Sequence, residues 1–289
     1  MKGLVIAKTR RHYVIEANNE TFTSVIKGTL HLHNLNIVVG DKVLLDKDSK
    51  QIISLEERKN FLLRPPVANI DQVLIVMSVD KPPFSLFLVE KFLTYCYFAE
   101  VKPLVVITKA DKIDLKEEEK IKEIMSHLDG YACEYFITSI KSGVGLNELK
   151  AAFSNKVSAL MGQTGVGKSS LINALFPKFE REIGDISEKL GRGRHTTREV
   201  ILLKIENGYL ADTPGFSSFE LPMDKEAIAQ NYPLIKRYLG KCYFNNCLHL
   251  SEKGCAVKKA LDDGEIPPMI YQNYVKLIEE TNKEGGLDA

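Results

Sequence analysis

Gly162-Gln163-Thr164-Gly165-Val166-Gly167-Lys168-Ser169 fits the pattern G-x-x-x-x-G-K-[ST]. The apolar run Val157–Met161 precedes it and a helical pattern, Ser170–Leu175, follows it. That strand–loop–helix context is the one in which such a loop cradles phosphates. Glycines let backbone N–H groups turn toward phosphate oxygens, and the N-terminus of the next helix adds a positive partial charge. The four fixed positions would arise by chance in roughly one chain in a hundred of this length, and the flanks make chance rarer still. The candidate nucleotide contacts are therefore Gly162, Gln163, Thr164, Gly165, Val166, Gly167, Lys168, Ser169 and Ser170. Lys168 is placed to reach the β- and γ-phosphates, a catalytic role, and the Ser169 hydroxyl to ligate Mg²⁺.

Upstream, Thr108-Lys109-Ala110-Asp111 ends the apolar run Leu104–Thr108. It resembles the guanine-reading Asn/Thr-Lys-x-Asp motif of GTPases. A carboxylate at Asp111 accepts from both N1–H and the exocyclic amine of guanine, and adenine has no donors so placed. The aliphatic stem of Lys109 covers the base. Thr138-Ser139-Ile140-Lys141 follows the next strand and resembles the Ser-Ala-Lys element, making Ser139 and Ile140 contacts for the guanine O6. Downstream, Asp212-Thr213-Pro214-Gly215 resembles the Asp-x-x-Gly element, with Asp212 holding Mg²⁺ and Gly215 sensing the γ-phosphate. Between lies Gly191-Arg192-Gly193-Arg194-His195-Thr196-Thr197-Arg198. Thr197 is the preferred residue to close the Mg²⁺ shell, with Thr196 as the alternative.

The base-reading elements thus precede the phosphate loop, the reverse of the Ras-like order. One site still forms if the domain is circularly permuted, since compact folds bring their termini close together. Strands Gln72–Val79, Leu104–Thr108, Tyr135–Thr138 and Val157–Met161 alternate with helices Ser85–Glu100 and Glu117–Leu128. This is an α/β doubly wound pattern, with near-continuous apolar strands as expected of a parallel sheet buried on both faces.

Outside that core the patterning changes. Residues 1–64 carry 11 Lys and Arg against 7 Asp and Glu, with three of the six histidines, in a chain whose net charge is +1. Five short segments, Gly3–Lys8, His12–Ala17, Thr21–Lys27, Lys42–Asp46 and Gln51–Leu55, predict a small all-β barrel of the oligonucleotide-binding (OB) type. A basic barrel suits a phosphate backbone. Arg64-Pro65-Pro66 marks a boundary, because neither proline suits a continuing strand. From Pro222 onward the pattern is helical and irregular, with a helix over Ile270–Glu280. Cys242, Cys247, His249 and Cys255 form C-x4-C-x-H-x5-C, three thiolates and one imidazole that suit a closed, structural Zn²⁺ site. The domains expected are a barrel over 1–64, a permuted GTPase over 65–220 and a mainly helical zinc-binding domain over 221–289. No apolar run approaches the roughly 20 residues of a membrane span. The N-terminus turns polar at Lys8, Arg10 and Arg11, unlike a signal peptide. With five cysteines and no export signal, disulfides are not expected, and the expected location is the cytoplasm.

Together these motifs resemble the ribosome small-subunit-dependent GTPase A family over nearly the whole chain. The resemblance implies a late assembly checkpoint that binds the small (30S) subunit and its rRNA through the flanking domains. It further implies Mg²⁺-dependent GTP hydrolysis to GDP stimulated by the subunit, one structural zinc, and no membrane partner. Nothing in the sequence calls for more than a monomer. Where many relatives carry Asn, this chain carries Thr108, whose hydroxyl can still hold the loop. Phe216 follows Gly215 where Ras-type enzymes carry the water-orienting Gln. A phenyl ring cannot orient water, so His195, beside the Mg²⁺ threonine, is the catalytic candidate, in line with the resemblance. Arg192, Arg194 and Arg198 can neutralise phosphate charge or contact rRNA. Two other readings are an RNA-binding GTP/GDP switch with little hydrolysis of its own, and a P-loop kinase, against which Asp111 argues.

Overall fold

The computed structural model describes residues 1–9, 12–27, 36–46, 48–113, 115–179, 200–212 and 221–284. Strands β1 (Lys2–Lys8), β2 (Tyr13–Ala17), β3 (Glu20–Ser24), β4 (Lys42–Leu45) and β5 (Ile52–Leu55) pair antiparallel in the order β3-β2-β1-β4-β5. A parallel bridge between Ile26 and Ile52 closes the ring. Period-2 alternation aims Val5, Ile15, Ala17, Val43, Leu45 and Ile52 inward, where they form a core of their own. The third strand ends at Ser24 rather than at the expected Lys27. There the chain leaves its antiparallel partner and turns to meet Ile52, with Ile52 N–H donating to the Val25 carbonyl at 2.9 Å.

Arg64-Pro65-Pro66 is the turn of a short hairpin, β6 (Phe61–Leu63) with β7 (Pro66–Ala68). As expected, neither proline continues a strand: β6 stops at Leu63, and Pro66 opens a new one. Pro66 occupies the first position of its strand, where a missing donor is tolerated. The hairpin is tied to the barrel by the Arg58 guanidinium. Its Nε and Nη2 grip the fully buried Asp41 carboxylate at 2.7 and 2.8 Å, and the group stacks 4.8 Å from the Phe61 ring centroid.

The central sheet follows. Its elements are β8 (Gln72–Ser78), α1 (Leu86–Phe98), β9 (Lys102–Thr108), α2 (Leu115–Gly130), β10 (Glu134–Ile137), α3 (Leu146–Ala152), β11 (Val157–Met161), α4 (Lys168–Leu175), β12 (Ile201–Ile205) and β13 (Gly208–Asp212). The strand order is β10-β9-β8-β11-β13-β12, parallel except for β12, which runs antiparallel to β13. Every residue of β8 is buried, as its unbroken apolar run requires. The chain lays β8, β9 and β10 outward in one direction, then returns to place β11 on the other side of β8. That reversal opens a crevice at the strands' carboxyl ends, where ligands of such sheets bind. Among the described residues, the strand pairing of Ala7 with Ile201 and the ion pair of Lys204 with Glu16 at 2.8 Å join the barrel to the sheet edge.

Helices α5 (Lys225–Asn231), α6 (Ala256–Asp262) and α7 (Pro268–Glu284) complete the described chain. Tyr232, which caps the end of α5, and Tyr274, Leu277 and Ile278 of α7 belong to the same apolar cluster as Val89 and Leu93 of α1. Tyr232 and Tyr274 meet edge-to-face at 5.2 Å. No helix among the described residues is long and apolar enough to cross a membrane.

At the centre of this contact lies Glu90 of α1, with 0% exposure. Its carboxylate accepts from the Tyr131 hydroxyl, from the Tyr232 hydroxyl at 2.9 Å and from Asn273 Nδ2 at 2.7 Å. Burial raises its pKa to about 7 against the pull of those three donors. A carboxyl whose pKa is higher folded than unfolded holds its proton more tightly in the native state. Its contribution to stability is therefore full below about pH 4.5 and is lost as pH rises through about 7. Glu90→Gln should flatten the dependence of Tm on pH across that window, measured by thermal melts in a buffer series. An unaltered slope would remove Glu90 as its source.

Candidate nucleotide site and metal centre

The loop after β11 adopts the shape its glycines allow. Gly162 has φ 142°, and a Cβ there would lie 2.2 Å from the Val76 carbonyl oxygen of β8. Gly167, at φ 99°, caps α4, so that the helix opens at Lys168. The Lys168 ammonium folds back over the loop, donating to the carbonyls of Gly162 and Gln163 at 2.5 and 2.7 Å. Burial lowers its pKa. Ser169 and Ser170 are exposed at the start of the helix.

The base-reading residues arrive from β9 and β10. The buried Thr108 hydroxyl donates to the Val166 carbonyl of the phosphate loop at 2.6 Å, with the Met77 carbonyl 3.1 Å from the same oxygen. Lys109 takes left-handed geometry at φ 63° and sends its ammonium to the carbonyls of Lys81 and, at 3.2 Å, Gly165. The next residues form a 3-10 turn, pinned by Ala110 N–H to the Thr138 carbonyl at 3.0 Å. Asp111 is exposed. The Ser139 hydroxyl donates to its Oδ1 at 2.7 Å and holds its carboxyl below the usual range. Ser139 Oγ in turn accepts from Ser142 N–H at 3.2 Å. Thus Thr108, Lys109, Asp111 and Ser139, encoded ahead of residues 162–170, meet them or each other at one end of the sheet.

Asp212 ends β13 and pairs with Ile201, one strand away from β11. His195, Thr196, Thr197, Gly215 and Phe216, with Arg192, Arg194 and Arg198, lie outside the described residues. The sequence reading missed the Lys81–Pro82 segment. The Lys81 carbonyl anchors Lys109, and Pro82 stands over Gly165. The signal available was the Pro82-Pro83 pair directly after a strand.

Thr108 acts here as a tether between the two halves of the site. Thr108→Val should leave the Val166 carbonyl short of a donor, at a cost of about 1–3 kcal/mol, and weaken GDP and GTP binding by about tenfold. Thr108→Asn, which keeps a donor, should retain most of the affinity. Titration with a fluorescent nucleotide reads this, and equal affinity in the valine variant would remove Thr108 from the positioning machinery.

The second cluster is Cys242, Cys247, His249 and Cys255, whose ligand atoms all lie within 4.8 Å of one another. His249 Nδ1 is 3.5 Å from both Cys242 Sγ and Cys255 Sγ. Zn–S bonds of about 2.3 Å and a Zn–N bond of about 2.0–2.1 Å give a tetrahedral S–N edge of about 3.6 Å, so the spacing fits. The donor set fits too: three sulfurs and the Nδ1 of a buried imidazole face one another. Burial lowers the His249 pKa, keeping the imidazole neutral as a ligand must be. Burial pushes the Cys247 thiol up to about 12, an opposition to ionisation that a bound cation reverses. Ala256 and Lys258 N–H groups point at Cys242 and Cys255 sulfurs at 3.3 and 3.4 Å, support of the kind that orients metal ligands. The turn carrying His249 is fixed by the Tyr271 and Tyr274 hydroxyls on the His249 and Leu248 carbonyls. The Glu252 carboxylate adds N–H bonds from Leu248, Leu250 and Ser251. The four residues form a single structural site of the zinc type.

A phosphate loop joined to an Asp-bearing base reader, with the reader encoded first, defines a circularly permuted P-loop GTPase. A family model described as RsgA GTPase matches residues 55–222. A protein named small ribosomal subunit biogenesis GTPase RsgA, from Halalkalibacterium halodurans, is 37% identical over 287 residues, covering 98% of each chain. Among solved structures, YjeQ from Thermotoga maritima superposes with a TM-score of 0.82 at 34% identity, covering 97% of this chain and 98% of its own. YloQ, described as a circularly permuted GTPase, does so with a TM-score of 0.79 at 31% identity, covering 98% and 95%. The chain belongs to the RsgA GTPase family.

Proposed function

We propose that this chain hydrolyses GTP as a factor in biogenesis of the small ribosomal subunit, binding the 30S particle and its rRNA as a monomer. The observation that carries the GTP half is the junction of Thr108 with Val166 and of Lys109 with Gly165, which sets a base reader beside a phosphate cradle. The relatives' shared name supplies the ribosomal half.

Asp111 reads N1–H and the exocyclic amine of guanine. Ser139 orients Asp111 through its hydroxyl, and its own N–H is committed to the Val144 carbonyl at 3.0 Å. The O6 contact therefore falls to the Ile140 N–H. Residues 162–170 hold the phosphates, with Lys168 on the β- and γ-oxygens. Ser169, Thr197 and Asp212 would hold Mg²⁺, which neutralises phosphate charge, and Gly215 senses the γ-phosphate. His195 orients the attacking water. The working units are a barrel over 1–64 that touches RNA, the GTPase over 65–220 and the zinc domain over 221–289.

Single-turnover GTP hydrolysis with and without purified small subunits tests the reading. The expected result is slow turnover alone and strong stimulation by small subunits but not large ones. Stimulation by neither would leave a GTP/GDP switch. His195→Ala should keep GTP affinity and lose the stimulated rate by about 10²–10⁴-fold, the usual contribution of a positioned acid–base group. An unchanged rate would remove His195 from catalysis.

A further inference from the structure

The metal-binding turn displays two aromatic rings to solvent. Tyr243 is 80% exposed, the most exposed large apolar side chain among the described residues, and Phe244 is 46% exposed. Their rings meet edge-to-face at 4.9 Å. Neither ring fills a core, yet the backbone that carries each is tied down. Tyr243 N–H donates to the Gly254 carbonyl at 3.0 Å, and Cys247 N–H donates to the Phe244 carbonyl at 3.3 Å. Gly254 permits that approach, since a Cβ there would lie 2.9 Å from Tyr243 Cβ. The turn is completed by exposed Asn245 and Asn246.

The surrounding charge points to the ligand. Residues 236–259 hold six cations, Lys236, Arg237, Lys241, Lys253, Lys258 and Lys259, against one acid, Glu252. The Glu252 carboxylate is already committed to three backbone N–H groups. None of the six cations forms an ion pair with a carboxylate among the described residues. Lys241 and Lys253 flank the aromatic pair directly, one beside Cys242 and the other beside Gly254.

Two rings and two side-chain amides on one small turn, with Lys241 and Lys253 at its edges, match the three parts of a nucleotide. Aromatic faces stack on bases, side-chain amides pair with base edges, and ammonium groups meet phosphates. A regular duplex hides its base faces, so the rings are useful only where bases are unstacked. We propose that the Lys241–Cys247 turn is a stacking platform for unpaired bases of RNA. This rests on the ribosomal reading above for the source of the RNA, but not for the chemistry.

The chain contains no tryptophan, so Tyr243→Trp places a sole indole on the platform of the full-length, zinc-loaded protein. Its emission should be quenched by a short single-stranded RNA of mixed sequence. The same sequence as a duplex, and inorganic polyphosphate, should leave it nearly unchanged. The Tyr243→Ala/Phe244→Ala variant should bind the single strand at least about tenfold more weakly, while Tyr243→Phe keeps the affinity. Full zinc content and unaltered GTP turnover without subunits certify the folding of each variant. Equal quenching by all three polyanions, quenching by none, or unchanged affinity of the double-alanine variant would overturn the platform. So would a double-alanine variant that loses small subunits but keeps single-stranded RNA, since the turn would then be a protein contact. A chain that is quenched by single-stranded RNA yet never binds small subunits would support the platform and sink the assembly reading instead.

Discussion

Asp111→Asn should weaken GTP binding by two or more orders of magnitude and raise affinity for xanthosine triphosphate. Guanine offers two donors to the Asp111 carboxylate, and sites built on such pairs reject analogues that lack them far more strongly than apolar pockets do. An asparagine amide presents one donor and one acceptor, which matches the C2 carbonyl and N1–H of xanthine. The carboxylate is also oriented before any base arrives. The Ser139 hydroxyl holds one oxygen at 2.7 Å, and the 3-10 turn is anchored to Thr138. Competition between GTP, xanthosine triphosphate and ATP for the variant reads the switch. A variant that still prefers GTP would assign base recognition to some other residue.

Removing zinc should have the second large effect. Structural zinc contributes on the order of 10–16 kcal/mol in small peptides, comparable with the whole stability of an ordinary domain, about 5–15 kcal/mol. Here the consequence spreads beyond the metal-binding turn. Tyr271 and Tyr274 of α7 hold the carbonyls beside His249, and the same helix carries Asn273, one of the three donors to Glu90. Losing the centre therefore loosens the covering of α1 and strips partners from a buried carboxylate. Elemental analysis should find about one zinc per chain. Chelation or Cys255→Ala should lower Tm sharply and open residues 225–284 to protease, whereas Cys133→Ala should keep its zinc. A metal-free chain with an unchanged melt would refute a structural role.

How much of this was readable in advance depended on the physical signal each element carries. Val157–Met161 appears where the sequence placed it, because an apolar run bounded by a glycine loop has one reading. The zinc ligands were legible because thiolate and imidazole spacing carries chemistry, not packing. The hairpin Phe61–Ala68 was not, since each of its strands has three residues and one opens on proline. Strand Ile201–Ile205 was missed because its partner β13, and hence its role at the sheet edge, becomes visible only in three dimensions. The short helices α5 and α6 bury too few residues each to show a period. The basic stretch 236–259 was hidden by averaging, because the acids of residues 262–284 cancel it. The tether from Thr108 to Val166 spans 58 residues and has no local trace.

The claim beneath all of this is that two separately encoded halves make one guanine site. A crystal structure of the full chain with Mg²⁺ and a non-hydrolysable GTP analogue tests it most directly. One nucleotide should span the crevice, its triphosphate on Gly162–Ser169 under the Lys168 ammonium and its base within hydrogen-bonding distance of the Asp111 carboxylate. Phosphates seated on the loop with the base turned away from Asp111 would contradict the account.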